Sequence, residues 1–364
     1  MPVLRVALDL PLHRLFDYTV ESASAADVGF RVRVPFGKGE RIGVIVEVAD
    51  GSDWPVAQLK AAGEILRDLP PLPPDFFRLC EFASAYYQAA LGEVVMQALP
   101  AGLKRITAPV RRSGRALSPP PLASLPVLTA EQSVAVSAID PQAGFSAHLL
   151  HGVTGSSKTE VYLRLIERML AAGKQALLLV PEINLTPQLE GRVRARFPEN
   201  MVVSLHSELA EAARERNWRA AFSGEANIVL GTRLAIFTPL PRLGLIVVDE
   251  EHDPSFKQQD GMRYSARDVA VFRAHQLGIP VVLGSATPSL ESWANARSGR
   301  YGLLALRQRA NPEAVLPAVH LLDTRKMILQ DGISEPLIAA IGARLTRGEQ
   351  SLVFLNRRGY APVL

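Results

Sequence analysis

The sequence predicts an α/β protein: a β-rich N-terminal domain, then a parallel sheet covered by helices on both faces, then the incomplete start of a further lobe. Three observations predict it. Residues 31–48, RVRVPFGKGERIGVIVEV, alternate polar and apolar positions on either side of Gly37-Lys38-Gly39, the pattern of a hairpin with one buried face. From residue 128 onward, short apolar runs alternate with helical stretches, as strands buried on both faces do. The segment GVTGSSKT (152–159) follows the first of those runs and opens a helix.

Composition sets the bounds. At about 150 residues per domain, 364 residues make two or three domains, and 48% hydrophobic residues exclude a disordered chain. A net charge of +4 permits a polyanionic partner without requiring one. Only seven of the 40 basic residues are lysine; arginine's planar fork suits phosphate, although heavy arginine usage is also a mark of genome composition. The single cysteine, Cys80, can form neither an intrachain disulfide nor a cysteine zinc cluster, and its apolar helical surroundings predict burial. Arg5, Asp9 and Arg14 interrupt the apolar start, and no apolar run approaches the ~20 residues a bilayer span needs. A soluble cytoplasmic protein without membrane association is expected.

Taken in order, residues 1–103 form the β-rich domain. Pro35 points to an edge strand, and Phe76, Leu79, Cys80, Ala83 and Tyr87 recur at helical spacing. Residues 104–127 read as a linker: Lys104, Arg105, Arg111, Arg112 and Arg115 come with no acid among them, ahead of SPPPLASLP, so the segment is either a solvated spacer or a strap that touches nucleic acid. Residues 128–318 hold strands at 148–152, 176–182, 202–206, 227–232, 245–251 and 281–287. Right-handed crossovers between such strands make a RecA-like lobe. Residues 319–364 would begin a second lobe, with SLVFLN (351–356) as its first strand.

The chemistry concentrates at strand ends. In GVTGSSKT, the backbone of Gly152, Val153, Thr154, Gly155, Ser156 and Ser157 can cradle phosphate at a helix N-terminus, Lys158 can neutralise the β/γ oxygens, and Thr159 can hold Mg²⁺. Ser157 stands where the pattern G-x-x-x-x-G-K-[ST] has glycine. A Cβ there costs ~1–2 kcal/mol if the backbone is left-handed, roughly tenfold in affinity. In LIVVDEEHD (245–253), Asp249 can orient the metal and Glu250 can take a proton from water, at the edge where open α/β sheets bind ligands. Ser285 and Thr287 in LGSATPSLES either sense the nucleotide or, with Ser289, merely cap a helix. Gln132 in LTAEQ can read an adenine edge. Thr186, Gln188 and Arg233 either contact a single-strand backbone or sit in ordinary polar loops.

In sequence order, LTAEQ, GVTGSSKTEVYL, VPEINLTPQ, LHSEL, GTRLAIFTP, VVDEEHDPSFKQQDG, YSARDVAVFRAH, GSATPSLES and FLNRRGYAP closely resemble the PriA family of superfamily 2 replication-restart DNA helicases. VALDLPLHRLFDYTV and RVRVPFGKGERIGVIVEV resemble that family's 3′-end-binding domain. The resemblance covers nearly the whole chain. It implies ATP- and Mg²⁺-dependent 3′→5′ unwinding of forked DNA. It also implies single-stranded DNA with a 3′ end, primosome proteins and single-stranded-DNA-binding protein as partners. It places Phe16, Asp17, Gly37 and Lys60 around a nascent strand's 3′-OH, His252, Ser285 and Thr287 in coupling, and Lys257 on DNA. In the stretch SFKQQDGMRYSARD (255–268), Met262 stands where a tryptophan is expected, leaving Phe256 and Tyr264 as its aromatics. Neither the family's zinc cysteines nor its second-lobe arginine-rich motif has a counterpart in these 364 residues, so nothing here can supply an arginine finger across the ATP. A fragment unable to unwind alone is therefore expected. A 3′-end and branched-DNA-binding module with little ATP turnover is the alternative, and an RNA-acting translocase is a third possibility that the N-terminal segment argues against.

Overall fold

The computed structural model describes residues 1–105, 125–140, 143–310 and 318–354. It divides into two units, Met1–Pro312 and Glu313–Leu364. The rest of the basic, proline-rich linker, 106–124, lies outside the described residues, as do 355–364.

The N-terminal domain is a six-stranded sheet in the order β5-β2-β1-β4-β3-β6: β1 (Val3–Ala7), β2 (Phe16–Thr19), β3 (Arg31–Phe36), β4 (Gly39–Ala49), β5 (Lys60–Ala61) and β6 (Ile65–Leu66). The expected hairpin is β3–β4, joined through Gly37, whose φ of +61° a glycine adopts without strain. Pro35 does not mark a free edge strand: β6 pairs with β3 at Arg31 and Val32, and only the Pro35 end of β3 is left uncovered. Residues 60–66 pair with β2 at one end and β3 at the other, so the sheet curls round a core of Leu4, Val6, Tyr18, Val32, Val34 and Ile45.

Helices α1 (Pro74–Tyr87) and α2 (Leu91–Gln97) and a 3₁₀ turn at Ala101–Lys104 follow. Cys80 is fully buried in α1, and burial pushes its thiol pKa up. Lys104 and Arg105 do not start a solvated spacer. Leu103 is buried and accepts a hydrogen bond from Arg31 (2.9 Å), and Arg105 pairs with Glu211 (3.3 Å), so this end of the segment is docked.

The lobe carries seven parallel strands in the order β13-β7-β12-β11-β8-β10-β9. These are β7 (Ser146–Gly152), β8 (Gln175–Leu179), β9 (Val202–Leu205), β10 (Ile228–Gly231), β11 (Leu243–Asp249), β12 (Pro280–Ser285) and β13 (Gly302–Leu306). Six match the apolar runs of the sequence; β13, GLLAL, had no such expectation. Alternate residues feed two cores. Leu150, Leu178, Leu230 and Val247 pack under α3 (Ala130–Ala138), α4 (Lys158–Ala171) and α5 (Pro187–Arg196). Leu149, Leu177, Val229 and Val248 pack under α6 (Glu211–Ser223), α7 (Ala266–Leu277) and α8 (Leu290–Arg297).

The second core continues into the N-terminal domain. Phe82 on α1 stacks on Phe272 of α7 with centroids 3.6 Å apart, and Gln276 donates to the Asp75 carbonyl at 2.8 Å. Burial of a shared apolar face joins the two domains across the sheet's α7 side.

In the unit Glu313–Leu364, β14 (Leu329–Gln330) and β15 (Ile333–Ser334) form a short hairpin ahead of α9 (Glu335–Thr346), which has no buried residue. The expected strand at 351–356 does not form over its described part. Residues 351–354 carry no strand, because no backbone among the described residues pairs with them, and Leu352 and Phe354 stay exposed. No helix among the described residues is long and apolar enough to cross a membrane.

Candidate nucleotide and nucleic-acid site

β7 ends at Gly152 and the chain turns through 153–157 into α4 at Lys158. The turn is tight. Val153 N–H donates to Leu306 of β13 at 3.1 Å, and Ser156 N–H donates to the Val153 carbonyl at 3.0 Å. A Cβ at 152 would come within 2.5 Å of Ser156 Oγ and 3.2 Å of Leu306 Cβ, so a larger residue there would displace the buried Ser156 hydroxyl. Gly155 has φ +83°, which it tolerates, and Ser157 has φ 54° and ψ 52°, the left-handed conformation that the sequence departure made costly. Ser156 Oγ is buried with no hydrogen-bond partner among the described residues, while Val153 and Thr154 are exposed.

Gln132 sits beneath this loop. Its Nε2 donates to the Ser156 carbonyl at 2.9 Å and its Oε1 accepts from Thr129 N–H at 2.9 Å, closing the capping box of α3. Both ends of the amide are thus engaged by the protein, and Gln132 braces the phosphate loop.

β11, two strands away from β7, brings the acidic pair to the same rim. Lys158 Nζ lies 3.5 Å from Glu250 Oε1 and 3.3 Å from the Gly152 carbonyl. Glu250 is itself left-handed, with φ 48°, a strain of the kind that gathers at functional sites. Asp249 Oδ1 accepts a 2.9 Å hydrogen bond from Tyr162 on α4. Burial raises the Asp249 pKa against the lowering effect of the Tyr162 bond, and the Glu250 charge raises it further. Burial, then the Asp249 charge, raise the Tyr162 pKa well above its ordinary value, so the phenol stays a donor. Tyr162 reaches Asp249 only because position 284 lacks a side chain: a Cβ there would fall 1.6 Å from its Oη.

His252 links this rim to β12. Its Nδ1 lies 2.7 Å from Ser285 Oγ and its Nε2 3.3 Å from Thr287 Oγ1, while Nδ1 is 3.7 Å from Glu250. Ser285 Oγ also accepts from Thr287 N–H at 2.9 Å, and Ser289, rather than Thr287, caps α8.

Glu251 carries a role not expected from its sequence position. Buried, it accepts from Ser289 N–H (2.7 Å), Ser289 Oγ (2.9 Å) and Ser292 Oγ (2.8 Å) and pairs with Arg267 (3.3 Å). It ties the acidic motif to the start of α8. The only sequence signal was its place in the run Asp249-Glu250-Glu251.

The loop suits a magnesium-bound triphosphate. The buried Ser156 hydroxyl lacks a partner among the described residues, the Lys158 ammonium rests on two oxygens, and Asp249 keeps its second oxygen beyond the Tyr162 bond. Thr159, half-buried in the first turn of α4, follows directly.

The residues expected to meet nucleic acid fall into two places. Phe16 and Asp17 are successive on β2 and so leave the sheet on opposite faces. Phe16 packs edge-on against Phe36, centroids 5.5 Å apart, next to Gly37. Asp17 faces Arg5 across the strand pair and accepts from Ser52 Oγ. Lys60 is exposed opposite Tyr18 on the neighbouring strand. At the lobe's rim, Thr186 caps α5, its Oγ1 accepting from Leu189 N–H at 3.3 Å, and Gln188 is exposed. Arg233 donates to the Ser255 carbonyl at 2.6 Å, and Lys257 lies over the Tyr87 ring at 5.3 Å. Phe256, Met262 and Tyr264 are buried, so the aromatics of this loop pack inward instead of facing a strand.

Comparison with known proteins accords with this layout. Residues 5–100 match the 3′ DNA-binding domain family of PriA proteins, and residues 129–295 match the DEAD/DEAH box helicase family. The whole chain is 38% identical to a replication restart protein PriA of Haemophilus influenzae, over 60% of that protein's length. Similar proteins of the same description occur in Treponema pallidum, 37% identical over 99% of this chain and 55% of the relative, and in Bacillus subtilis, 45% identical over 64% of this chain and 30% of the relative. The chain therefore spans less than two thirds of the length of the relatives it matches.

Proposed function

We propose that this chain, similar along its whole length to replication restart proteins PriA, supplies the ATP-hydrolysing lobe and the 3′-end-binding domain for 3′→5′ separation of DNA strands at stalled forks, as part of primosome assembly, without separating strands by itself. The observation that carries this reading is the meeting of Lys158 and Glu250, 3.5 Å apart, at the rim of one parallel sheet joined to a 3′-end-binding domain.

The residues divide the work. The loop 152–157 cradles the phosphates, and Lys158 leaves its two protein oxygens for the β/γ oxygens. Thr159 and Asp249 would hold Mg²⁺, Asp249 being aimed by Tyr162. Bound there, the metal would offset charge on the phosphoryl group being transferred. Glu250, freed from Lys158, takes a proton from water. His252 senses that change at Glu250 and passes it to Ser285 and Thr287. Arg233, Lys257, Thr186 and Gln188 contact the strand being moved, while Phe16, Asp17, Gly37 and Lys60 bound a site for a 3′ end. Primosome proteins and single-stranded-DNA-binding protein are its partners, in the cytoplasm.

Steady-state ATP hydrolysis with and without forked DNA tests the reading: stimulation by the fork is expected, abolished in Lys158→Ala and Glu250→Gln. Absence of any stimulated turnover, with fork binding intact, favours instead the 3′-end-binding module to which the strained Ser157 points.

A further inference from the structure

The loop from β4 to β5, residues 50–59, is pinned at both ends to β2, the strand that carries Phe16 and Asp17. At its start, Ser52 Oγ donates to the Asp17 carboxylate and accepts from Trp54 N–H at 3.1 Å. At its end, β5 pairs with β2 in parallel, Lys60 opposite Tyr18 and Ala61 opposite Thr19, and Ala62 N–H donates to the Thr19 carbonyl at 2.8 Å. Between these anchors a 3₁₀ turn, Val56–Gln58, is closed by Gln58 N–H on the Pro55 carbonyl at 2.8 Å and Leu59 N–H on the Val56 carbonyl at 3.1 Å. Pro55 restricts the backbone directly after Trp54. The protein's own contacts therefore give this loop one shape.

Trp54 is 55% exposed on this loop. A lone exposed apolar side chain is ordinary. Trp54 differs in its position: one serine links its backbone to Asp17, the carboxylate read as the acceptor for a 3′-hydroxyl. Presenting an indole from a pinned loop also costs little ordering entropy. The charges around it select what it meets. Residues 49–59 hold Asp50 and Asp53, both exposed, and no lysine or arginine, so they repel phosphate. A nucleobase presents an uncharged π face that stacks on an aromatic ring whatever the base. Exposed Lys60, at the β5 end of the loop, is left for the phosphate.

We propose that Trp54 stacks on the base of the nucleotide next to the 3′-terminal one of a DNA strand. The inference rests on the reading of residues 5–100 as a 3′-end-binding domain and deepens it. β5 pairs with β2 only at Tyr18 and Thr19, so among the described residues no strand covers the outer edge of β2 at Phe16 and Asp17. A terminal nucleotide lying along that edge reaches both side chains, its hydroxyl on Asp17 and its base on Phe16. The indole is left for the base before it. Because Ser52 bonds both Asp17 and the Trp54 backbone, an end seated on Asp17 meets the indole at a fixed offset.

The test uses the full chain and short single strands carrying 2-aminopurine, a base whose emission falls when it stacks on indole. The probe stands next to last or fifth from an end that finishes in a 3′-hydroxyl or a 3′-phosphate. Preference for the hydroxyl end separates the end site from other single-strand contacts. In the unaltered protein, quenching is expected at the next-to-last position of the hydroxyl strand and not at the fifth. Trp54→Ala should abolish that quenching and weaken hydroxyl-strand binding about fivefold or more, the lower end of a base–aromatic stack. Trp54→Phe keeps an aromatic face and should recover affinity. Phosphate-strand binding and melting temperature should stay put in both variants, because the side chain is exposed. A smaller loss in Trp54→Ala, quenching that persists in it, or a loss in Trp54→Phe as large as alanine's overturns the proposal and leaves the end-site reading standing. Trp54 would then face a protein partner or only shape its loop. Equal binding of hydroxyl and phosphate ends by the unaltered protein removes the end-site reading and the proposal together.

Discussion

Replacing Ser157 by glycine removes a Cβ from a residue held at φ 54° and ψ 52°. The left-handed conformation costs a non-glycine residue ~1–2 kcal/mol. Glycine gives back about 0.4–1 kcal/mol of that through its greater freedom in the unfolded chain. The net gain is about 1 kcal/mol of folding stability, or ~2–4 °C in melting temperature for a domain of this size. The conformation is held by the protein's own contacts, the Ser157 carbonyl accepting from Glu160 N–H at 3.0 Å and from Gln132 Nε2 at 3.4 Å. Strain present before and after binding cancels from the affinity. Ser157→Gly is therefore expected to raise the melting temperature while strengthening ATP-analogue binding by less than the tenfold that the strain alone would give. Ser157→Ala keeps the Cβ and loses only the hydroxyl, so it should show no thermal gain. Thermal unfolding paired with fluorescent-nucleotide titration measures both. A tenfold or larger affinity gain without a thermal shift would refute the reasoning, because it would mean that the left-handed turn is adopted only around bound phosphate.

Three further outcomes are expected. Tyr162→Phe deletes the hydroxyl that holds Asp249 Oδ1 and leaves a buried carboxylate short of a donor, a loss of ~1–3 kcal/mol; titrating ATP-analogue binding with Mg²⁺ should show a raised magnesium requirement, and an unchanged curve would clear Tyr162 of any role in aiming the metal ligand. Glu251→Ala strands the Ser289 N–H and the hydroxyls of Ser289 and Ser292 and takes one of the carboxylates from Arg267, which keeps Asp268, so the melting temperature should fall by several degrees, more than for Glu250→Ala on the half-buried side of the motif. His148 is half-buried on β7 with neither ring nitrogen partnered among the described residues, and burial lowers its pKa from the ordinary 6.5; the unfolded chain takes up a proton below about that value while the folded chain resists, so this contribution is full above pH 6.5 and is lost as pH falls towards the lowered folded value. Melting curves at pH 7 and pH 5 should drop further for wild type than for His148→Leu, and equal drops would refute the assignment.

Much of this protein is written locally. Six of the lobe's seven strands were legible because a parallel strand buried on both faces must be apolar at every position, and β3–β4 because a half-buried hairpin must alternate about a glycine. The turn into α4 and the acidic pair at the end of β11 were legible as candidates because a phosphate cradle and a metal-binding strand end would each require fixed residue types at fixed spacing, and the fold brings the two to one rim. What the chain could not declare depends on partners far apart in sequence. The left-handed state of Ser157 is set by Gln132 below it. Tyr162 becomes the holder of Asp249 only because Gly284 leaves it room. Glu251 turns inward to α8, Gln132 spends its amide on the loop it underlies, and the loop aromatics Phe256 and Tyr264 join the core. Lys104 and Arg105, which read as linker, are docked because α6 and Arg31 receive the segment. Spacing along the chain fixes which groups are available. Which of them face each other is decided by the order of strands across the sheet and by the apolar face that α1 shares with α7, a non-local free energy that no local pattern encodes.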